Sequence, residues 1–346
     1  MNTGTHSATT RPGQGPPDAV FDISGTLNEQ EPPEGVEESP ASSAFEEEHM
    51  VDRPKMQDPR KQYPAPPFPK QPQQAPGLAR RLEPPADHGE ESYKGSGKLE
   101  GRKALVTGGD SGIGRATAIA YAREGADVAI SFLPDEQPDA DEVIALIEQA
   151  GRKAVALPGD VSEERYAREL PKRAADELGG LDILVVNAGH QKFFPSFDEL
   201  TSDDFDTTMR TNLYALFWTT QEAARIMPPG ASIITTASVQ AYDPSTTIMH
   251  YATTKAGIVA FTKALASELI DKGIRANSVA PGPIWTPLNP SGGSSQEKVE
   301  SFGGGSTFGR PGQPVELAPV YVLLASQEGS YITGEVYGIT GGAGIA

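Results

Sequence analysis

In the segment "YATTK" a phenol and an amine, Tyr251 and Lys255, stand four residues apart. On a helix that spacing turns both side chains to one face. A free phenol ionises near pH 10 and is a poor proton carrier at neutrality. A neighbouring ammonium favours the phenolate and brings it into the range of general acid–base catalysis. The same pair also arises by chance on ordinary helix surfaces, so it needs company. Ser238, thirteen residues earlier in "TTASVQAY", offers a hydroxyl at a predicted strand end, suited to fixing a substrate oxygen. Histidine could serve as base or ligand, but His250 points elsewhere on the same helix, whereas His190 is a candidate substrate contact. With five His, no Cys and no metal-ligand spacing, no metal is expected.

A second constellation lies in "TGGDSGIGRATAIAYAREGA", where Gly108, Gly109, Gly112 and Gly114 precede a helical pattern. Glycines between a strand and a helix allow a tight reversal and a close approach of backbone to a bound group. The helix beginning at about Ser111 then aims free N–H groups and a partial positive charge at an anion such as a pyrophosphate. The turn therefore makes room for a dinucleotide.

These residues need a frame, and the chain supplies one. Short β-rich runs at Ala104–Thr107, Val128–Phe132, Ala154–Leu157, Ile183–Val186, Ser232–Thr236, Ala276–Val279 and Val336–Ile339 alternate with helical stretches. Alternation of this kind predicts an α/β fold, a doubly wound parallel seven-stranded sheet of Rossmann type with helices on both faces. Ligands in such folds sit at the carboxyl ends of the strands. Domain organisation follows composition: an acidic disordered tail over 1–54, a proline-rich extended arm over 55–95, and a single catalytic domain over 96–346. Residues 1–50 hold ten Asp/Glu against Arg11 alone, half of the chain's net charge of −18. Tyr63, Phe68 and Leu78 are the arm's apolar anchors, for packing on its own or a neighbouring subunit. The acidic balance argues against nucleic acid and membrane surfaces. No leader or apolar span is read, so a soluble cytoplasmic protein is expected.

From about Lys98 to Gly342 the chain resembles the short-chain dehydrogenase/reductases. Thr107, Gly108, Gly112 and Gly114 match the family's Thr-Gly-x-x-x-Gly-x-Gly, with Asp110, Ser111 and Ile113 inside it. "GDV" supplies Asp160 and Val161 for the adenine, and "NAG" supplies Asn187, Ala188 and Gly189 for the cleft, with Val186 where relatives usually carry a further Asn. "PGPIWTP" resembles the segment closing over the nicotinamide and brings Pro281, Gly282, Ile284 and Thr286. Asn212, Ser238, Tyr251 and Lys255 fill the family's catalytic set. The resemblance implies that Lys255 also binds the nicotinamide ribose, that Asn212 holds a water linking Lys255 to solvent, and that the protein is a homotetramer. It narrows toward the N-terminally extended glucose-dehydrogenase-like and general-stress oxidoreductases.

The activity implied is NAD(P)-dependent hydride transfer to or from a small alcohol, aldehyde, ketone or sugar. At the end of the second strand Phe132 stands where an acid binding the ribose is expected, and the absence of a following Arg tilts the reading to NAD over NADP. Gln240, His190, Gln191 and Trp285 join Ser238 and Tyr251 as substrate candidates, with Phe193, Phe194 and Tyr242 as further aromatics. The Gly/Ser-rich loop after Trp285 reads as a mobile lid. A non-catalytic dinucleotide sensor or scaffold, meeting a partner through the acidic tail, is the alternative. A hydrolase lacks support, because Ser238 has no nucleophile-elbow context.

Overall fold

The computed structural model describes Arg53 and residues 55–345, so the expected acidic tail lies outside the described residues except for Arg53. Seven strands form one sheet in the order β3-β2-β1-β4-β5-β6-β7, and every neighbouring pair is parallel. They are β1 Lys103–Thr107, β2 Asp127–Phe132, β3 Ala154–Pro158, β4 Ile183–Val186, β5 Ser232–Thr236, β6 Arg275–Pro281 and β7 Val336–Ile339. The order reverses between β1 and β4, where Ala104 pairs with Ile183 and Val106 with Val185. Connections on opposite faces diverge at that point and leave a crevice above the strand ends.

Alternation along the strands sorts the core into two layers. Ala104 and Val106 of β1, with Val128 and Ile130 of β2, face helices α1 Gly112–Arg123, α2 Gln137–Gln149 and, across the sheet, α8 Pro314–Ala325. Leu105 and Ala129 point the other way, toward α3 Glu164–Leu178, α5 Ala215–Ile226 and α6 Met249–Leu269. Helix α4, Ser202–Met209, enters α5 through a π-turn at Arg210–Tyr214. In α1 the buried residues include Ala116, Ala118, Ala120 and Ala122, small side chains that let the helix lie close on the sheet. Its Tyr121 hydroxyl donates to the Tyr321 carbonyl at 3.0 Å and ties it to α8.

The proline-rich segment packs on its own chain. Phe68 and Leu82 are buried against Trp285 and Val299, the Phe68 and Trp285 rings lie 4.5 Å apart, and the Trp285 indole donates to the Pro84 carbonyl at 2.8 Å. Tyr63 is buried and donates to Asp87 at 2.8 Å, while Leu78 is only half-buried. The join to the sheet domain is the Glu124 carboxylate, which is buried and accepts from the Tyr93 hydroxyl at 2.7 Å, Ser96 N at 2.8 Å and Lys98 N at 3.0 Å. Glu124→Ala strands these donors and is expected to lower stability by about 2–3 kcal/mol in a denaturant titration, since bonds to a buried charge are the costly ones to lose. A change within error of zero would contradict this reading of the join.

Candidate active site

The crevice over the strand ends is a cavity of about 510 Å³ that reaches from the β2–α2 corner to Tyr251. Its floor is fixed by reciprocal bonds across the switch point. The Thr107 hydroxyl accepts from Asn187 N at 2.9 Å and Ala188 N at 3.1 Å, and the Asn187 amide donates to the Thr107 and Gly108 carbonyls, each at 3.2 Å. Thr107 thus works from beneath, outside the lining.

The glycine turn behaves as its spacing predicts. Gly112 has φ +49°, and a Cβ there would lie 3.0 Å from the Thr286 methyl. Gly114 has no room for a Cβ, which would fall 1.8 Å from the Gly108 carbonyl oxygen. Helix α1 therefore starts hard against the turn, with Ser111 as its N-cap, and its first N–H groups have no intrahelical partner. Gly108, Asp110, Ser111, Gly112 and Ile113 line the cavity, whereas Gly114 supports it from below.

Farther along, Phe132 lies at the end of β2, Asp160 and Val161 after β3, and Asn187, Ala188 and Gly189 after β4; all six line the cavity. So do Pro281, Gly282, Ile284 and Thr286 after β6. Leu133, the residue after Phe132 where the resemblance would place a basic side chain, lines the β2 end together with Glu136, which the sequence reading passed over. Glu136 is fixed there because its carboxylate accepts from Leu133 N at 2.8 Å while its own N–H donates to the Leu133 carbonyl at 2.8 Å, at the start of the next turn. Arg and Lys do not follow β2 in the lining; Lys255 and Lys298 stand elsewhere on the wall.

Ser238, Tyr251 and Lys255 meet at the inner end. The Lys255 ammonium donates to the Thr236 carbonyl at 2.7 Å and sits 5.1 Å from the centre of the Tyr251 ring. All three side chains are buried. Burial pushes the Tyr251 phenol up to about 12, although the Ser238 hydroxyl works in the opposite sense, and burial pulls the Lys255 amine down to about 7. Burial disfavours both charges, so the protein alone does not hold the phenolate that the spacing suggested.

Two expectations need correction, and Asn212 takes a structural place as well. Trp285 does not line the cavity: it is fully buried under Phe68 and Pro84, as the wedge on which the arm docks. The Asn212 side chain is committed to protein, accepting from His190 N at 2.7 Å and donating to the His190 carbonyl and the Thr254 hydroxyl, each at 3.0 Å. It braces the post-β4 segment against α6. The loop after Trp285 is not a loose lid, because Asn289, Ser291, Ser294 and Val299 are buried and helix α7, Gln296–Glu300, is packed beneath the arm.

On the substrate side His190, Gln191 and Gln240 line the cavity. Gln191 donates to the Gly293 carbonyl at 2.5 Å, and Gln240 accepts from Ser245 N at 2.7 Å, so both carry structural bonds as well. Phe193, Phe194 and Tyr242 stand outside the lining; Phe194 meets the His250 ring edge-on at 5.2 Å. His250 is buried with both ring nitrogens unpartnered, and burial, with His190 beside it, lowers its pKa. Among the described residues no cluster of His, Asp and Glu could hold a metal, and no helix is long and apolar enough to cross a membrane.

A family model described as Enoyl-(Acyl carrier protein) reductase matches residues 108–344. The fold is shared with the crystal structure of a short chain dehydrogenase from Burkholderia cenocepacia in complex with NADP, at TM-score 0.67 and 36% identity over 71% of this chain and 99% of that one. This chain belongs to the short-chain dehydrogenase/reductase family. The family member resembles the uncharacterized oxidoreductase YghA of Escherichia coli K12, with 56% identity over 83% of this chain and 98% of that one. It is also 40% identical, over 80% of its own length and 97% of the relative's, to the glucose and ribitol dehydrogenase homolog of Oryza sativa.

The cleft carries one further electrostatic feature. Asp110 is buried and neither carboxylate oxygen has a hydrogen-bond partner, and Glu136 lies close by. Burial pushes both carboxyls well above the ordinary range, with the charges of Asp139 and Asp110 adding to the effect on Asp110 and Glu136 respectively. A carboxyl raised in the folded state gives stability that is complete below its unfolded pKa and lost as pH rises through its folded pKa. Asp110→Asn should therefore flatten the fall in melting temperature of the nucleotide-free protein as pH rises from the ordinary carboxylate range through neutrality. A variant profile parallel to wild type throughout that window would contradict the assignment.

Proposed function

We propose that the protein is an NAD(P)-dependent oxidoreductase that moves a hydride between a nicotinamide and the carbon of a small alcohol or carbonyl compound. The observation that carries this reading is the meeting of Ser238, Tyr251 and Lys255 at the inner end of a cleft whose other end is the glycine turn. The residues fit a dinucleotide: Gly114 brings the helix N-terminus against the turn, and Asp110 offers unpartnered oxygens within the wall. An oxidised nicotinamide supplies a hydride acceptor and a positive charge.

This chain's residues supply the rest. Tyr251 takes the hydroxyl proton in oxidation and returns it to the carbonyl oxygen in reduction. Ser238 orients that oxygen, and Lys255 stabilises the ionised phenol and binds the ribose. Thr236 holds the Lys255 ammonium through its carbonyl. Asn212 acts as a positioning residue for the His190 backbone and α6. The lining of His190, Gln191 and Gln240 is polar enough for a sugar or polyol as well as a simple alcohol, aldehyde or ketone. A homotetramer working in the cytoplasm is the assembly and setting we propose with it.

On the cofactor, the missing Arg after β2 tilts toward NAD, but the NADP bound in the Burkholderia structure weighs more and tilts the reading to NADP. The raised carboxyls of Asp110 and Glu136 are compatible with it, since protonated acids do not repel a 2′-phosphate. Parallel fluorescence titrations with NADH and NADPH should give the tighter binding with NADPH, and tighter binding of NADH would reverse the assignment. Tyr251→Phe should bind nucleotide normally yet lose about a hundredfold or more in kcat. Because oxidation needs the phenolate and reduction the phenol, wild-type oxidation should rise with pH and reduction fall. Unchanged turnover in the variant would end the Tyr251 mechanism.

A further inference from the structure

Between Phe68 and Arg80 the arm is fastened at two ends. At the first it is bonded to the loop after Trp285: Phe68 N donates to the Glu300 carbonyl at 2.9 Å, Gln71 N to the Gln296 side chain at 2.9 Å, and Gln73 N to the Pro290 carbonyl at 3.1 Å. At the second it is bonded to α2, where Ala79 N donates to the Asp139 carboxylate at 2.5 Å and Arg80 reaches the Pro138 carbonyl at 3.0 Å and Glu142 at 2.7 Å. Gly77, with φ +81°, presses on Ser291 in between. Helix α2 follows the β2 end of the cavity, and the loop borders its inner part. The seven-residue stretch from Gln73 to Ala79 thus crosses from one side of the cavity to the other, and Ala75 and Pro76 stand in its wall.

We propose that Ala75 and Pro76 are contact residues for the bound dinucleotide, and that the arm is a strap joining the substrate loop to α2 across it. The inference rests on the reading of the cleft as a nucleotide site. A ligand seated under the strap adds contacts to the docked arm, so docking and binding strengthen each other by the same factor. Fluctuations that let a nucleotide leave must break at least one fastening. The Phe68–Trp285 contact and the Ala79–Asp139 bond are its two pins, and neither residue of the arm belongs to the hydride-transfer machinery.

The test uses the full chain. Hydrogen exchange of the Phe68, Gln73 and Ala79 amides is followed with and without saturating NADPH or NADH, and nucleotide release is timed by stopped-flow fluorescence in wild type, Phe68→Ala and Ala79→Pro. Saturation should slow exchange at these amides, and each variant should release nucleotide about tenfold faster than wild type. Exchange that nucleotide leaves unchanged, or release at the wild-type rate in folded variants, would overturn the strap while leaving the nucleotide site standing. Failure of wild type to bind either nucleotide would overturn the site and the strap together. The exchange measurement needs no variant to fold.

Discussion

Everything at the site hangs on the lock between Thr107 and Asn187. At the switch point β1 and β4 are neighbours whose chains must leave in opposite directions, and their last carbonyls and amides would otherwise be loose. The Thr107 hydroxyl collects two N–H groups from the β4 end, and the Asn187 amide returns two bonds to the β1 end. A third strand joins when the Thr236 hydroxyl donates to the Asn187 side-chain oxygen at 3.3 Å and meets the Tyr321 hydroxyl at 2.7 Å. With the three strand ends held, the glycine turn, the post-β4 segment and the Ser238 turn keep fixed places around one cavity.

Held that way, the ionisable side chains in the cavity wall are buried, and burial governs their electrostatics. Tyr251 is driven toward the phenol, Lys255 toward the free amine, and Asp110 and Glu136 toward the protonated acid. Each shift has burial as its first cause, so the unliganded site avoids charge. A site of this kind is poised to respond to a ligand that brings its own charges. On the proposed reading, the positive ring of an oxidised nicotinamide would favour the phenolate that the protein by itself resists, and the free N–H groups of α1 would suit an anionic pyrophosphate.

The sheet was legible because its strands read as short runs of β-branched and small apolar residues, the inner ones buried on both faces. Ile183–Val186, Ser232–Thr236 and Val336–Ile339 agree to the residue with the structure. The glycine turn and the Tyr251–Lys255 pair were legible for a related reason: their meaning is set by local geometry, a reversal before a helix and a shared helix face. Trp285 was misread because its partner, Phe68, lies more than two hundred positions away and no local pattern announces so distant a contact. The Gly/Ser-rich loop was misread for the same reason, since its order comes from the arm and not from its own composition. Asn212 was placed by its motif, but which atoms its amide would meet depends on His190 and Thr254. Glu136 escaped notice because a capping carboxylate reports on a turn, and only the turn's geometry aims it into the cleft.

The central claim is hydride transfer within this cleft, and isotope transfer tests it most directly. Purified protein is mixed with NADPH or NADH carrying deuterium at the nicotinamide C4 and a panel of small aldehydes, ketones and sugars, and the products are read by mass spectrometry. The account predicts an alcohol product with one deuterium on the former carbonyl carbon, formed from one face of the nicotinamide only. Tight nucleotide binding with no labelled product from any member of a broad panel would contradict it.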